Sequence, residues 1–310
     1  MSFAVICSGQ GAQTPDLFQK FPFTEKGRSL QKRILDAGCL EPEVAEWLNN
    51  PTAQPEAIYK NHFSQPLLSL YQMMVWSELS VPHPHVFAGY SLGELSAYGC
   101  ADALCPEDVV RLAGIRARAM DAAGAGKLVA VTGLAFEKAQ ATADLHAAHL
   151  AIVLGAEHCV IGCLPQAENE ICEAMRAAGA ENAIVLPVSV PSHTPLLYAA
   201  VEPFREALAS VPWQPPTSPI LAGINANKVL TRQQMLESLP EQIHRTVRWD
   251  IVEERMAEAE CHVVLELGPG CQLAHTLFGG RFQTDARSAD EFRSAEGIAA
   301  WAERSLKHFG

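Results

Sequence analysis

Residues 85–99, "HVFAGYSLGELSAYG", set one serine between two glycines, after a short apolar run and ahead of a helical pattern. Strand, Gly-x-Ser-x-Gly, helix is the pattern of a nucleophile elbow. Its glycines permit a sharp turn, and the hydroxyl stands at a helix N-terminus, where the helix dipole favours developing negative charge. The same five residues also occur in ordinary glycine-rich connections. Ser91 therefore needs a base, an oxyanion site and a source of selectivity elsewhere in the chain.

Working outward from this turn, short apolar runs at Phe3–Cys7, Val86–Ala88, Ile220–Gly223 and His262–Leu267 read as buried strands. Helical patterns over 66–80, 93–100, 106–123, 195–210 and 249–259 alternate with them, which predicts an α/β fold with a largely parallel sheet. One section has another rhythm. "KLVAVTGL" reads as a strand, 135–148 as a helix, and "LAIVLGAEHCVIGCL" as two strands around a Gly-Ala-Glu-His turn. A helix near 165–178 and the strand "NAIVLPVSV" complete a β-α-β-β-α-β, ferredoxin-like order. The expected organisation is a small α+β subdomain, residues 127–189, inserted into a larger body formed by 1–126 and 190–310.

Composition narrows the classes. With 310 residues, 48% hydrophobic and 19% charged, the chain reads as a soluble globular enzyme. A net charge of −12 argues against general nucleic-acid binding, which needs surplus Lys and Arg. No apolar stretch approaches the roughly 18 to 20 residues that span a bilayer, and "MSFAVICSGQGAQ" reads as a first strand and turn rather than a signal peptide. The nine cysteines include no CxxC pair, so reduced thiols and a cytoplasmic location are expected, with no zinc site.

The candidate base is His193 in "VLPVSVPSHTP", held just beyond a strand between Pro191 and Pro195. The oxyanion donors expected are the amide of Leu92, after the serine, and one from the turn "SGQGAQ" at 8–13, where glycines let backbone approach a ligand. Arg116 carries the selectivity argument. In "PEDVVRLAGIRARAMDAAG" Arg111 and Arg118 share one helical face, while Arg116 points about 140 to 160° away beside Val109, Leu112 and Met120. A guanidinium on an apolar stripe calls for an anionic partner. That partner is either an internal carboxylate, unless the side chain snorkels to the edge, or a substrate carboxylate gripped bidentately.

Six segments, "SGQGAQ", "GYSLGE", "RLAGIRARAM", "VSVPSH", "QIHRTVRW" and "ELGPG", together resemble the malonyl-CoA:acyl-carrier-protein transacylase family, in the family's order and over nearly the whole chain. The resemblance implies a large α/β-hydrolase-like domain with a ferredoxin-like insertion. It implies that Ser91 takes malonyl as an ester, that His193 is base and then acid, and that Arg116 binds the free carboxylate. Gln10 and Leu92 would supply oxyanion N–H groups, and Gln242 would orient the histidine through its carbonyl. The substrate would be a CoA thioester, with no tightly bound cofactor or metal. The partner would be an acidic carrier protein bearing a phosphopantetheine-type or dephospho-CoA-derived arm, docked on positive residues such as Arg118, Lys127, Arg245 and Arg248.

Family members of fatty-acid synthesis read "GHSLGE", "PGQGSQ" and "PVRW" where this chain has Tyr90, "SGQGAQ" and "TVRW". The Tyr form looks like the transacylase (epsilon) subunit of malonate decarboxylase, which is the subtype expected here, with the fatty-acid-synthesis transacylase as its alternative. A serine esterase or thioesterase, and a non-catalytic carrier-binding protein, are the competing classes. The first would show an HGGG-type oxyanion motif, which the chain lacks, and would leave Arg116 unexplained. The second would not need Ser91, His193 and Arg116 together.

Overall fold

The computed structural model describes residues 2–278 and 282–309. Strands β1 (Ser2–Cys7), β2 (Val86–Gly89), β7 (Ile220–Leu221), β8 (Lys228–Val229), β10 (Cys261–Leu267) and β11 (Asp285–Ser288) form a six-stranded sheet in the order β11-β10-β1-β2-β7-β8. All neighbours run parallel except β7 and β8. β1 shows why this sheet is central. Phe3, Val5 and Cys7 enter the core on one face while Ala4 and Ile6 enter the core on the other. A strand buried on both sides must read as a continuous apolar run.

One face of this sheet is covered by helices α1 (Glu25–Asp36), α2 (Pro42–Asn49), α3 (Asn61–Glu78), α4 (Gly93–Cys100), α5 (Pro106–Ala123), α8 (Val201–Ser210), α9 (Arg232–Ser238) and α12 (Ala295–Phe309). α10 (Trp249–Glu258) and α11 (Gln272–Phe278) cover the other face. The second sheet, β6-β3-β5-β4-β9, is built from β3 (Lys127–Thr132), β4 (His149–Gly155), β5 (His158–Cys163), β6 (Asn182–Val185) and β9 (Val247–Arg248). Helices α6 (Phe136–Asp144) and α7 (Glu168–Ala177) pack on one side of it. From its other side Leu128, Ile152 and Val160 join Ala4, Ile6 and Trp249 in a shared core. The fold is thus α/β, a large domain with a small α+β subdomain.

The β-α-β-β-α-β order over 127–185 matches the expectation, with one addition. β9 comes from residues 247–248 and pairs in parallel with β4. Other elements differ from the sequence reading. The helix expected from Pro66 starts five residues earlier, with Pro66 inside it. Its early turns are anchored by polar bonds: Asn61 donates to the Ala117 carbonyl and Asp121, and Gln65 Nε2 donates to Asn61. The stretch 195–210 divides into a 3-10 turn (Pro195–Ala200) and α8. Helices α1, α2 and α12 and strand β11 carried no expectation. Each of these helices buries only a few apolar residues, and β11 pairs along one edge with β10.

Candidate active site

The elbow is enforced by packing as well as by sequence. A Cβ on Gly93 would sit 2.1 Å from the Cys7 carbonyl oxygen, and one on Gly89 would sit 2.0 Å from the Gly93 carbonyl carbon. No other residue type fits either place. Between them Ser91 is held at φ 54°, a left-handed conformation that costs a side-chain-bearing residue of order 1 kcal/mol or more. The turn closes through the Gly93 amide on the Tyr90 carbonyl and the Glu94 amide on the Ser91 carbonyl. No backbone carbonyl accepts from the Leu92 amide among the described residues.

His193 meets the serine directly, its Nε2 2.7 Å from Ser91 Oγ. Its Nδ1 lies 2.5 Å from the Gln242 carbonyl oxygen, so Nδ1 carries the proton and Nε2 presents its lone pair to the hydroxyl. The His193 amide donates to the Ile243 carbonyl, and the ring is 1% exposed. His193 too has positive φ, 66°. Burial, aided by the charge of Arg116, lowers its pKa to about 3 against the opposing bond to Gln242, so the imidazole is neutral at about pH 7. Both members of this hydrogen-bonded pair thus hold a backbone conformation that residues with side chains rarely adopt.

Arg116 lies on the inner face of α5 as its helical position predicted, 1% exposed. Its direct partners within the chain are not the internal carboxylate that was one of the two expected alternatives. Its two guanidinium NH₂ groups donate to neutral amide oxygens, Nη1 to Gln65 at 2.8 Å and Nη2 to Gln242 at 3.1 Å. Burial lowers its pKa to about 10, partly offset by the charge of Glu94, and the side chain stays cationic at neutral pH. A buried cation whose described partners are neutral amide oxygens is left without a countercharge in direct contact.

Gln242 does more than its backbone carbonyl implied. Its Nε2 donates to the Ser91 carbonyl at 3.0 Å and to Glu94 at 2.5 Å. Glu94 is 0% exposed, and burial raises its pKa to about 7 although Gly223 and Gln242 donate to it. Gln65 and Glu94 escaped the sequence reading. An acid one residue past Gly-x-Ser-x-Gly reads as a solvated first-turn carboxylate, and nothing in "NHFSQPLLSL" marks Gln65.

Gln10 stands in the turn after β1, partly buried. A Cβ on its neighbour Gly9 would be 3.4 Å from that of Ser91, so this turn borders the nucleophile. Beneath it Ser8 Oγ donates to Glu266, and Gln72 donates to the Ser8 carbonyl. Gln10 and Tyr90 line a cavity of about 390 Å³ with Leu154, His158 and Glu266. The Tyr90 ring packs edge-on against Trp249, centroids 5.5 Å apart.

The expected docking cations diverge. Arg118 is held by Glu41 and Glu43, Arg248 by Asp250, and Lys127 Nζ donates to the Val188 carbonyl at 3.2 Å. Arg245 is exposed and has no ion pair among the described residues.

A family model described as "Acyl transferase domain" matches residues 48–302. The malonyl CoA-acyl carrier protein transacylase of Escherichia coli (strain K12) is 29% identical over 283 residues, 86% of this chain and 89% of that protein. That of Haemophilus influenzae is 31% identical over 284 residues, 86% of this chain and 88% of that one. Among solved structures, a FabD from Acinetobacter baumannii superposes with a TM-score of 0.86 at 24% identity, covering 99% of each chain. A malonyl-transacylase solved with its type II polyketide acyl-carrier protein gives 0.83 at 25% identity, covering 98% of this chain and 100% of that one.

Proposed function

We propose that this chain, which belongs to the acyl transferase domain family, moves a malonyl group from malonyl-CoA through an ester on Ser91 to the thiol of an acyl-carrier protein. The observation that carries the reading is Arg116, buried and, among the described residues, hydrogen-bonded only to amide oxygens, one glutamine away from the histidine of a Ser91–His193 pair. Ser91 Oγ attacks the thioester carbonyl carbon as Nε2 of His193 takes its proton. The N–H groups of Leu92 and Gln10 receive the oxyanion. The C–S bond then breaks and CoA leaves as the thiol, protonated by His193. The carrier's arm thiol repeats these steps in reverse, so the kinetics are ping-pong. Arg116 grips the far carboxylate throughout. Residues 127–189 act as the subdomain and 1–126 with 190–310 as the catalytic body.

The named relatives favour a general carrier-protein transacylase of the fatty-acid-synthesis type over the malonate decarboxylase subunit. The latter rests on Tyr90 alone. Intact-mass measurement after exposure to malonyl-CoA should show a malonyl adduct that Ser91→Ala abolishes; an adduct persisting in that variant rules out this nucleophile. Rapid carrier-free hydrolysis would instead mark a thioesterase. Presenting the malonyl-enzyme with carriers bearing phosphopantetheine or the dephospho-CoA-derived arm decides the subtype.

A further inference from the structure

Glu94 is a fully buried acid that acyl transfer itself does not use. Its Oε2 accepts from the Gly223 amide at 2.9 Å and from Gln242 Nε2 at 2.5 Å, while Oε1 is buried with no hydrogen-bond partner among the described residues. A glutamine amide has one donating and one accepting end. Glu94 and the Ser91 carbonyl are both acceptors, and together they claim the nitrogen. Only the oxygen is left to face Arg116. The flipped amide would set N–H against guanidinium N–H and oxygen against carboxylate, repulsive contacts among three buried side chains.

The interposed amide has a second consequence. A carboxylate bonded directly to Arg116 would occupy the fork that a carboxylated substrate needs. One amide further off, Glu94 still offsets the cost of burying the guanidinium but leaves its remaining donors free. The same glutamine holds His193 through its carbonyl, so donor recognition and base orientation meet in one residue.

We propose that Glu94 is a positioning residue for donor selectivity: by fixing the Gln242 side-chain amide, it holds Arg116 in the orientation that accepts a carboxylated acyl group. This rests on the reading of Arg116 as a carboxylate clamp.

The test is the rate of acyl-adduct formation on the full chain with malonyl-CoA and with acetyl-CoA. Glu94→Gln keeps the shape but offers Gln242 an N–H as well as an oxygen. The malonyl-to-acetyl ratio should fall about tenfold, the size expected for one misaligned charged hydrogen bond. Gln242→Met, which retains the carbonyl that holds His193, should lower the ratio similarly. In that background Glu94→Gln should lower it no further. Equal slowing of both donors by Glu94→Gln, an unchanged ratio, or independent multiplication of the two effects overturns the inference. Where Glu94→Gln does not fold, Gln242→Met decides alone: a lowered ratio supports the inference and equal slowing overturns it. Arg116→Ala separates the levels. If it leaves the ratio unchanged, the clamp reading itself falls. If it collapses the ratio while Glu94→Gln does not, only the role of Glu94 is lost.

Discussion

The two faces of α5 carry arginines two residues apart that live under opposite physics. Arg118 is 44% exposed at its side chain and is held by two acids, Glu41 and Glu43. Arg116 is buried and bonded to neutral amides. On the outer face water and counter-charge satisfy the cation, so the interaction is replaceable. On the inner face the cation is kept underpaired, which the fold supports only by surrounding it with oriented dipoles and a displaced carboxylate. A charge is available for chemistry where the protein has not already neutralised it.

That contrast can be broken most directly at Arg116. Arg116→Ala should slow malonyl loading about a thousandfold, the loss expected when one partner of a desolvated charge pair is removed. Acetyl loading should fall far less, and equal losses with both donors would erase the distinction between the faces. The apolar neighbours of Arg116 should act through stability instead. Leu112 is 1% exposed, and Leu112→Ala should cost about 3 kcal/mol in denaturant unfolding without changing the malonyl-to-acetyl ratio. A changed ratio would mean that the inner face is tuned as a unit.

The pH profile sharpens the comparison from the side of the base. Burial and Arg116 hold His193 at a pKa of about 3, so the neutral, competent form persists as pH falls. Acetyl loading at pH 5.5 should stay close to its value at pH 7.5, whereas a histidine at the ordinary 6.5 would lose about tenfold. Acetyl-CoA is the donor of choice because Glu94, near 7, titrates in the same window beside Arg116. The smallest effect belongs to the outer face. Arg118→Ala should change stability by less than about 1 kcal/mol, as exposed ion pairs do, and should leave loading with both donors as it was.

Much of the candidate site's geometry was legible because it is local. Gly89 and Gly93 mark the elbow, since no side chain fits there. The 100° period of α5 separates Arg116 from Arg111 and Arg118. Apolar runs on either side of the Gly-Ala-Glu-His turn gave β4 and β5. What escaped depends on residues far apart in the chain. Gln65 and Glu94 reach Arg116 and Gln242 only after α3, α4 and the segment at 241–243 are packed together. The internal carboxylate that was one of the two partners expected for Arg116 lies one amide away, at Glu94, a distinction that burial and periodicity do not encode. β9 joins the small sheet from beyond the segment that defines the rest of it, through pairing with β4.

The sequence by itself determined the layered α/β plan, the elbow at Ser91 and the inward face of Arg116, because steric demand and helical or strand period act between near neighbours. The tertiary structure decided which groups pair across the site: the 2.7 Å contact of Ser91 and His193, the neutral company of Arg116 and the orientation of the Gln242 amide. Those pairings join residues up to 151 positions apart, as Ser91 and Gln242 are. Their free energies depend on burial and on the direction of individual dipoles, which exist only once the chain has closed around them.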